Sequence, residues 1–181
     1  MIKKGILLIV VTLLLGSCVA VKAYSQEAFM KYTVNGVAYS FKGNQAQCYQ
    51  KEGDKDENDK VDFQETTGYL NYTVEAAEKI GFKIRVEKGK KLAVGRYTIQ
   101  GLLDQTKILP NVHIKLEVET TEGLIFYNAN GPDNGVFEIT KIAGGWIEGT
   151  FEVTIPDDFD EDNITYIKVT NGSFRLKVKT F

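Results

Sequence analysis

The chain has 181 residues, of which 43% are hydrophobic and 25% are charged, and its formal net charge at pH 7 is −2. These values suit one globular domain with a sizeable core, and a slightly acidic chain without basic runs excludes nucleic acid as an expected partner. One histidine and two cysteines are too few for a zinc site built from His and Cys pairs.

The N-terminus has the pattern of a secretory signal peptide. Lys3 and Lys4 precede an apolar run of ten residues from Ile6 to Leu15, and small residues follow it. The run is too short to cross a bilayer as a stable helix, so we expect the chain to be exported.

The sequence LGSC at residues 15–18 resembles the lipobox of bacterial lipoproteins. The resemblance implies a signal peptide at residues 1–17, lipidation of Cys18, a tether over residues 18–28 and a folded domain over residues 29–181. The predicted partner is then the membrane: the lipid anchors the protein in the outer membrane, and the protein faces either the periplasm or the cell surface. Cleavage after residue 25 is the alternative, and it predicts a soluble periplasmic or secreted protein.

Strand signals begin where the predicted tether ends. Asn35-Gly36 separates two alternating runs, which is the strongest short signal for a β-hairpin. Further strand-like runs are Gly68–Ala76, Gly81–Glu87 and Gly95–Ile99. From Asn111 to Glu119 apolar residues alternate with polar ones that include His113, so we expect His113 on a solvated face.

The most regular pattern extends from Gly135 to Ile155, where two strand-like runs meet at Ala143-Gly144-Gly145. A last hairpin is predicted to turn at Asn171-Gly172, which places Val169 opposite Phe174 across the ladder.

These roughly ten to twelve short runs predict an all-β fold, namely an antiparallel two-sheet β-sandwich with a β-barrel as the alternative. We expect Phe151, Phe174 and Leu176 in one core, with Trp146 at its margin. Cys48 has no internal disulfide partner once Cys18 is lipidated or removed, and its surroundings indicate a small strand residue.

The acidic stretch DKDENDKVDFQE at residues 54–65 resembles the twelve-residue calcium loop of the EF-hand. The resemblance implies calcium as the candidate cofactor. Its ligands are the side chains of Asp54, Asp56, Asn58, Asp62 and Glu65 and the carbonyl of Lys60. Asp59 stands where the EF-hand has glycine, and a strand-like sequence follows where it has a helix. A solvated acidic loop without a cofactor is therefore the alternative.

Several short motifs resemble those of the small β-sandwich lipoproteins of unknown function of Bacteroidetes-type bacteria. Besides the lipobox-like start, these motifs are Val34-Asn35-Gly36, Gly95-Arg96-Tyr97, Gly145–Phe151 and Val169–Phe174. The resemblance covers most of the mature chain. It implies a cell-envelope location and a β-sandwich, and it implies no activity.

No catalytic residues are nominated by the sequence. A Ser-His-Asp or Cys-His site would need His113, the only histidine, and a carboxylate pair cannot be picked from the many acids. We therefore expect a non-enzymatic cell-envelope lipoprotein that binds a protein or a glycan through loops at one end of the sheets. The alternatives are a glycan hydrolase with a carboxylate pair and a calcium-stabilised carbohydrate-binding or adhesion module.

Overall fold

The computed structural model describes residues 27–52, 63–101, 108–157 and 164–180. Within these segments the chain forms eleven β-strands and two short 3-10 helices. The strands are β1 (Phe29–Val34), β2 (Val37–Lys42), β3 (Ala46–Glu52), β4 (Phe63–Leu70), β5 (Glu78–Glu87), β6 (Gly95–Ile99), β7 (Asn111–Thr120), β8 (Gly123–Asn128), β9 (Gly135–Ala143), β10 (Trp146–Asp157) and β11 (Thr165–Thr180). No helix in these four segments is long and apolar enough to cross a membrane.

The strands pair into one large mixed sheet that folds over into two facing layers. The first layer holds β1, β2, β9, β10 and β11, and the second holds β3, β4, β5, β7 and β8. Two strands join the layers, because β6 pairs with both β9 and β7 and the end of β11 pairs with β3. The predicted all-β fold is confirmed.

Most of the described strand pairs are antiparallel, as predicted, but two are not. The pairs β6–β7 and β11–β3 are parallel. Both pairs involve a strand, β6 or β11, that also pairs with the other layer.

An aromatic cluster fills the core between the layers. The ring of Phe82 on β5 has its centroid 4.9 Å from that of Phe137 on β9 and 4.8 Å from that of Phe174 on β11. Phe151 on β10 extends the cluster, 6.5 Å from Phe174. Aromatic pairs at these distances contribute roughly 0.5–1.5 kcal/mol each beyond the burial of their area.

Glycines on neighbouring strands make room for these rings. The cross-strand pairs are Gly68 with Phe82, Gly149 with Phe174 and Gly172 with Phe151. A Cβ atom at Gly68 would lie 2.3 Å from the Phe82 ring, which no folded structure tolerates without a shift of the ring. Each ring therefore packs directly on the backbone of the next strand.

Tyr32 links the two layers at one end. Its hydroxyl donates to the carbonyl of Glu78 at 2.8 Å and accepts from the N–H of Ile80 at 3.3 Å. Burial raises the pKa of Tyr32, so the phenol keeps the proton that it donates. Tyr39 stacks on Tyr32 with centroids 5.4 Å apart and donates to the Glu78 carboxylate.

The predicted central pair is confirmed as β9 and β10, joined at Gly144-Gly145 with φ values of +58° and +76°. Trp146 is half buried, beside a core that includes Phe151, Phe174 and Leu176 as predicted. The predicted hairpin at Asn35-Gly36 is also confirmed, with φ values of +46° and +91°, as a two-residue turn of the favoured hand requires.

The predicted hairpin at Asn171-Gly172 is wrong, because β11 continues through both residues. They form a bulge: Phe151 pairs with Gly172 and Val153 pairs with Val169, so β11 holds one extra residue. Asn171 takes the left-handed conformation with φ of +54°. The strand cannot turn back here because both of its neighbours, β10 and β1, pair with it on each side of the bulge.

We expect Gly149→Ala to lower the free energy of unfolding by about 1–3 kcal/mol. The new Cβ would lie 2.3 Å from the carbonyl oxygen of Glu138 and 2.5 Å from the Phe174 ring. Gly81→Ala is the matched control, since its Cβ would have no atom closer than 3.5 Å. Urea denaturation of the two variants measures the difference, and equal midpoints would contradict this account of the core.

Candidate functional site

A cleft of about 650 Å³ lies on the outer face of the second layer. Residues of β3, β4, β5, β7 and β8 surround it, and they are Tyr49, Thr67, Gly68, Tyr69, Gly81, Phe82, Lys83, His113, Lys115, Phe126 and Asn128. This volume and the mixture of aromatic and polar groups are typical of sites for small molecules.

Gly81 forms the floor of the cleft. It pairs with Lys115 across the β5–β7 ladder, and a Cβ at Gly81 would lie in ordinary contact distance of its surroundings. The next residue, Phe82, points the opposite way into the core. Strand β5 therefore contributes the Phe82 ring to the core. At Gly81 it has no side chain, and this leaves the space for the cleft.

Aromatic rings stand on two sides of this floor. Tyr49 and Tyr69 meet edge to face, with centroids 5.7 Å apart and planes at 74°. The hydroxyl of Tyr69 donates to the Oε1 atom of Gln47 at 3.0 Å, which holds its ring in place. Phe126 belongs to the edge strand β8 and is 50% exposed, so a ligand in the cleft would cover apolar surface that water now covers.

Two lysines bring positive charge to the cleft. The Nζ atom of Lys83 lies 3.4 Å from the carboxylate of Glu65. The Nζ atom of Lys115 lies 5.3 Å from the centre of the Phe126 ring, a cation–π geometry. Among the described residues that line the cleft, none is Asp or Glu.

Glu65 is a buried acid beside the cleft. Its carboxylate lies 3.4 Å from Lys83, 3.4 Å from the Nε atom of Arg85 and 4.0 Å from Lys51. Thr67 donates a further hydrogen bond at 3.4 Å. The Glu65 side chain is only 3% exposed, and Lys51, Lys83 and Arg85 all lie within 4.0 Å of its carboxylate.

The expectation of a solvated His113 is wrong, because only 4% of the residue is exposed. Its Nδ1 atom lies 3.4 Å from the carbonyl oxygen of Gln100. A carbonyl can only accept, so Nδ1 carries the proton in this contact. Burial has the largest effect and lowers the pKa of His113, and the positive charges of Arg85 and Lys83 also lower it. The hydrogen bonds to Gln100 and Asn128 raise this pKa, but not enough to reverse the net lowering.

Of the residues predicted to hold calcium, Glu65 alone lies in the described part of the chain, within β4. The others, Asp54, Asp56, Asn58, Lys60 and Asp62, lie outside it, as does Cys18. In the described segments no three His, Cys, Asp or Glu residues cluster in a way that could hold a metal ion. The calcium loop stays a prediction.

Cys48 is a small strand residue, as expected. It is 1% exposed and not in a disulfide, and burial raises the pKa of its thiol to about 12. Burial therefore disfavours the thiolate form of this sulfur at neutral pH.

Of the residues that line the cleft, only His113 stood out in the sequence, and it was expected on a solvated face. A usable signal exists in β5, where Gly81, Lys83 and Arg85 alternate with buried Ile80, Phe82, Ile84 and Val86. A glycine followed by two cations on one face of a strand indicates an outer face with a local gap. The other members of the cleft join it through strand register, which the sequence does not show.

Comparison of the chain with protein-family models, with curated proteins and with solved structures found no match.

We expect Glu65→Gln to lower the free energy of unfolding by about 3–5 kcal/mol, because it leaves Arg85 buried without its counter-charge. Urea denaturation in calcium and in chelator measures this loss. The ion-pair cluster predicts an equal loss in both media. A loss confined to the calcium-containing medium would instead identify Glu65 as a calcium ligand.

We expect His113 to titrate below its ordinary pKa of 6.5. Because the folded state binds its proton less readily than the unfolded state, stability from neutral His113 is present above about pH 6.5 and is lost as the pH falls. Between pH 7 and pH 5 the Tm of His113→Gln should therefore fall by less than the Tm of the wild type. As the only histidine, His113 also gives a single imidazole NMR titration, and a pKa of 6.5 or above would contradict the buried geometry.

Proposed function

We propose that the protein is a cell-envelope lipoprotein that binds a glycan in the cleft on the outer face of its second layer. One observation carries the proposal: the aromatic rings of Tyr49, Tyr69 and Phe126 border a floor without a side chain at Gly81. Sugar rings have apolar C–H faces that pack on aromatic rings, and hydroxyl groups that need hydrogen-bond partners. Thr67, His113 and Asn128 bring such partners to the same cleft.

The proposal locates the site on a sheet face. The sequence predicted binding through loops at one end of the sheets, and residues 53–62, 102–107 and 158–163 lie outside the described part of the chain. The cleft, in contrast, is built from paired strands that fix each side chain by register. A site on rigid elements holds its groups more accurately than a site on loops.

The composition of the cleft favours binding over hydrolysis. Glycan hydrolases need two carboxyl groups about 5–10 Å apart on either side of the scissile bond. No Asp or Glu is among the described residues that line the cleft. The nearby carboxylate of Glu65 is already engaged by Lys83 and Arg85, so it has neither the exposure nor the freedom of a general acid.

A screen of soluble oligosaccharides tests glycan binding. We expect at least one sugar to raise the Tm of the full-length protein through linkage, and to have no such effect on Gly81→Gln, whose side chain fills the floor. Thr98→Gln adds the same side chain at an exposed position of β6 and should respond like the wild type. Equal responses of wild type and Gly81→Gln to every sugar would refute the proposed site.

The membrane anchor rests on the LGSC sequence at residues 15–18, and its test is separate. Stable anchoring needs more than one acyl chain, as a diacylated cysteine provides. We expect the wild type in outer-membrane fractions and Cys18→Ser in soluble fractions or unprocessed. A mature chain that begins at Gln26 and is soluble in the periplasm would contradict the anchor.

A further inference from the structure

The charged side chains among the described residues that line the cleft are both positive. Lys83 and Lys115 line it, and none of its described lining residues is an acid. A neutral ligand would leave this positive charge uncompensated in a partly closed cleft, whereas an anionic ligand would offset it. The lining therefore selects for negative charge.

Lys115 is the cation that is free to bind. Its stem lies across the floor, with Cε 3.6 Å from where the Cβ of Gly81 would be. Its ammonium group contacts the Phe126 ring, and it has no carboxylate within 4.0 Å among the described residues. Lys79 on the neighbouring strand β5 faces the same side but is paired with Glu117 at 4.0 Å. Lys115 is thus held over the floor, and no described residue supplies it with a counter-charge.

The remaining groups fit a ring that bears hydroxyls. Tyr69 and Phe126 offer apolar faces, while the amide of the half-buried Asn128 can both donate and accept hydrogen bonds. A flat aromatic acid would use the rings and the lysine, but it has no ring hydroxyls to bond with this amide.

We propose that the cleft binds an acidic sugar, a hexuronate residue of a glycan, with its carboxylate at the Lys115 ammonium and its ring between Tyr69 and Phe126. This inference rests on the proposed glycan-binding function and names the class of glycan.

Titration of the purified full-length protein with digalacturonate, with a glucuronate-containing disaccharide and with the methyl ester of each tests the inference. The His113 imidazole signal reports occupancy at the site. We expect the acids to bind saturably and about tenfold or more tightly than their esters, since a hydrogen bond to a charged group is worth at least this factor. A bound carboxylate should also raise the pKa of His113, whereas a bound ester should lower it or leave it unchanged.

Two lysine variants supply the controls. Lys115→Met keeps the apolar stem and should bind acid and ester equally, while Lys79→Met should keep the wild-type preference for the acid. Equal binding of acid and ester by the wild type would overturn the acidic-sugar inference and leave glycan binding intact. Failure of both acids together with binding of a neutral sugar from the screen would do the same.

Two further outcomes separate the remaining possibilities. Benzoate is the probe for a plain aromatic acid, and binding of benzoate as tight as that of the uronates would overturn the assignment of a sugar. If neither the uronates nor any oligosaccharide of the screen binds, the proposed function itself fails, and the inference fails with it.

Discussion

The packing of a phenylalanine ring on a glycine of the adjacent strand is the contact on which the rest of this fold depends. It occurs for Phe82 on Gly68 and for Phe174 on Gly149, and it brings the rings of the two layers to within 4.8 Å of each other. A slip of one residue would move every ring to the outer face and set a side chain against the neighbouring backbone. The glycines thus specify strand register as well as spacing.

Register in turn aligns the outer face of the second layer. One cross-strand row holds Lys51, Glu65 and Arg85, and the next holds Tyr49, Thr67, Lys83 and His113. No two neighbours within a row are close in sequence, so the ion-pair cluster and the cleft are products of pairing. The buried Glu65 lies beside the cleft, with Lys51, Lys83 and Arg85 all within 4.0 Å of its carboxylate.

Local signals in the sequence were sufficient for parts of the fold whose geometry is itself local. The hairpin at Asn35-Gly36 and the joint at Gly144-Gly145 follow from residues that tolerate positive φ. Asn171-Gly172 has the same signature. A two-residue turn and a bulge would each place Val169 and Phe174 on the same face, so the alternation of the sequence cannot distinguish these two structures. Only the neighbours on both sides of β11 decide the outcome.

The alternation of apolar and polar residues shows which face of a strand points outward, but it does not show which other residues cover that face. His113 lies on the outer face as the pattern indicates, yet its neighbours and the carbonyl of Gln100 enclose it. The cleft was missed for the same reason, since its residues come from five strands and the signal in any one strand is weak. Tertiary context, rather than propensity, determines both features.

The bulged strand β11 has a consequence for the order in which the molecule can assemble. It pairs with β1, β10 and β3, and the Oδ1 atom of Asn35 accepts a hydrogen bond from the N–H of Lys168, 133 residues later. A polypeptide that emerges from a ribosome or a translocation channel exposes β1 first and β11 last. Until β11 arrives, β1 and β3 each have an open edge, and the barrier of closing so long a loop delays collapse. The first layer therefore stays incomplete until β11 emerges, and this one late strand then joins β1 to β10 and links the two layers through β3.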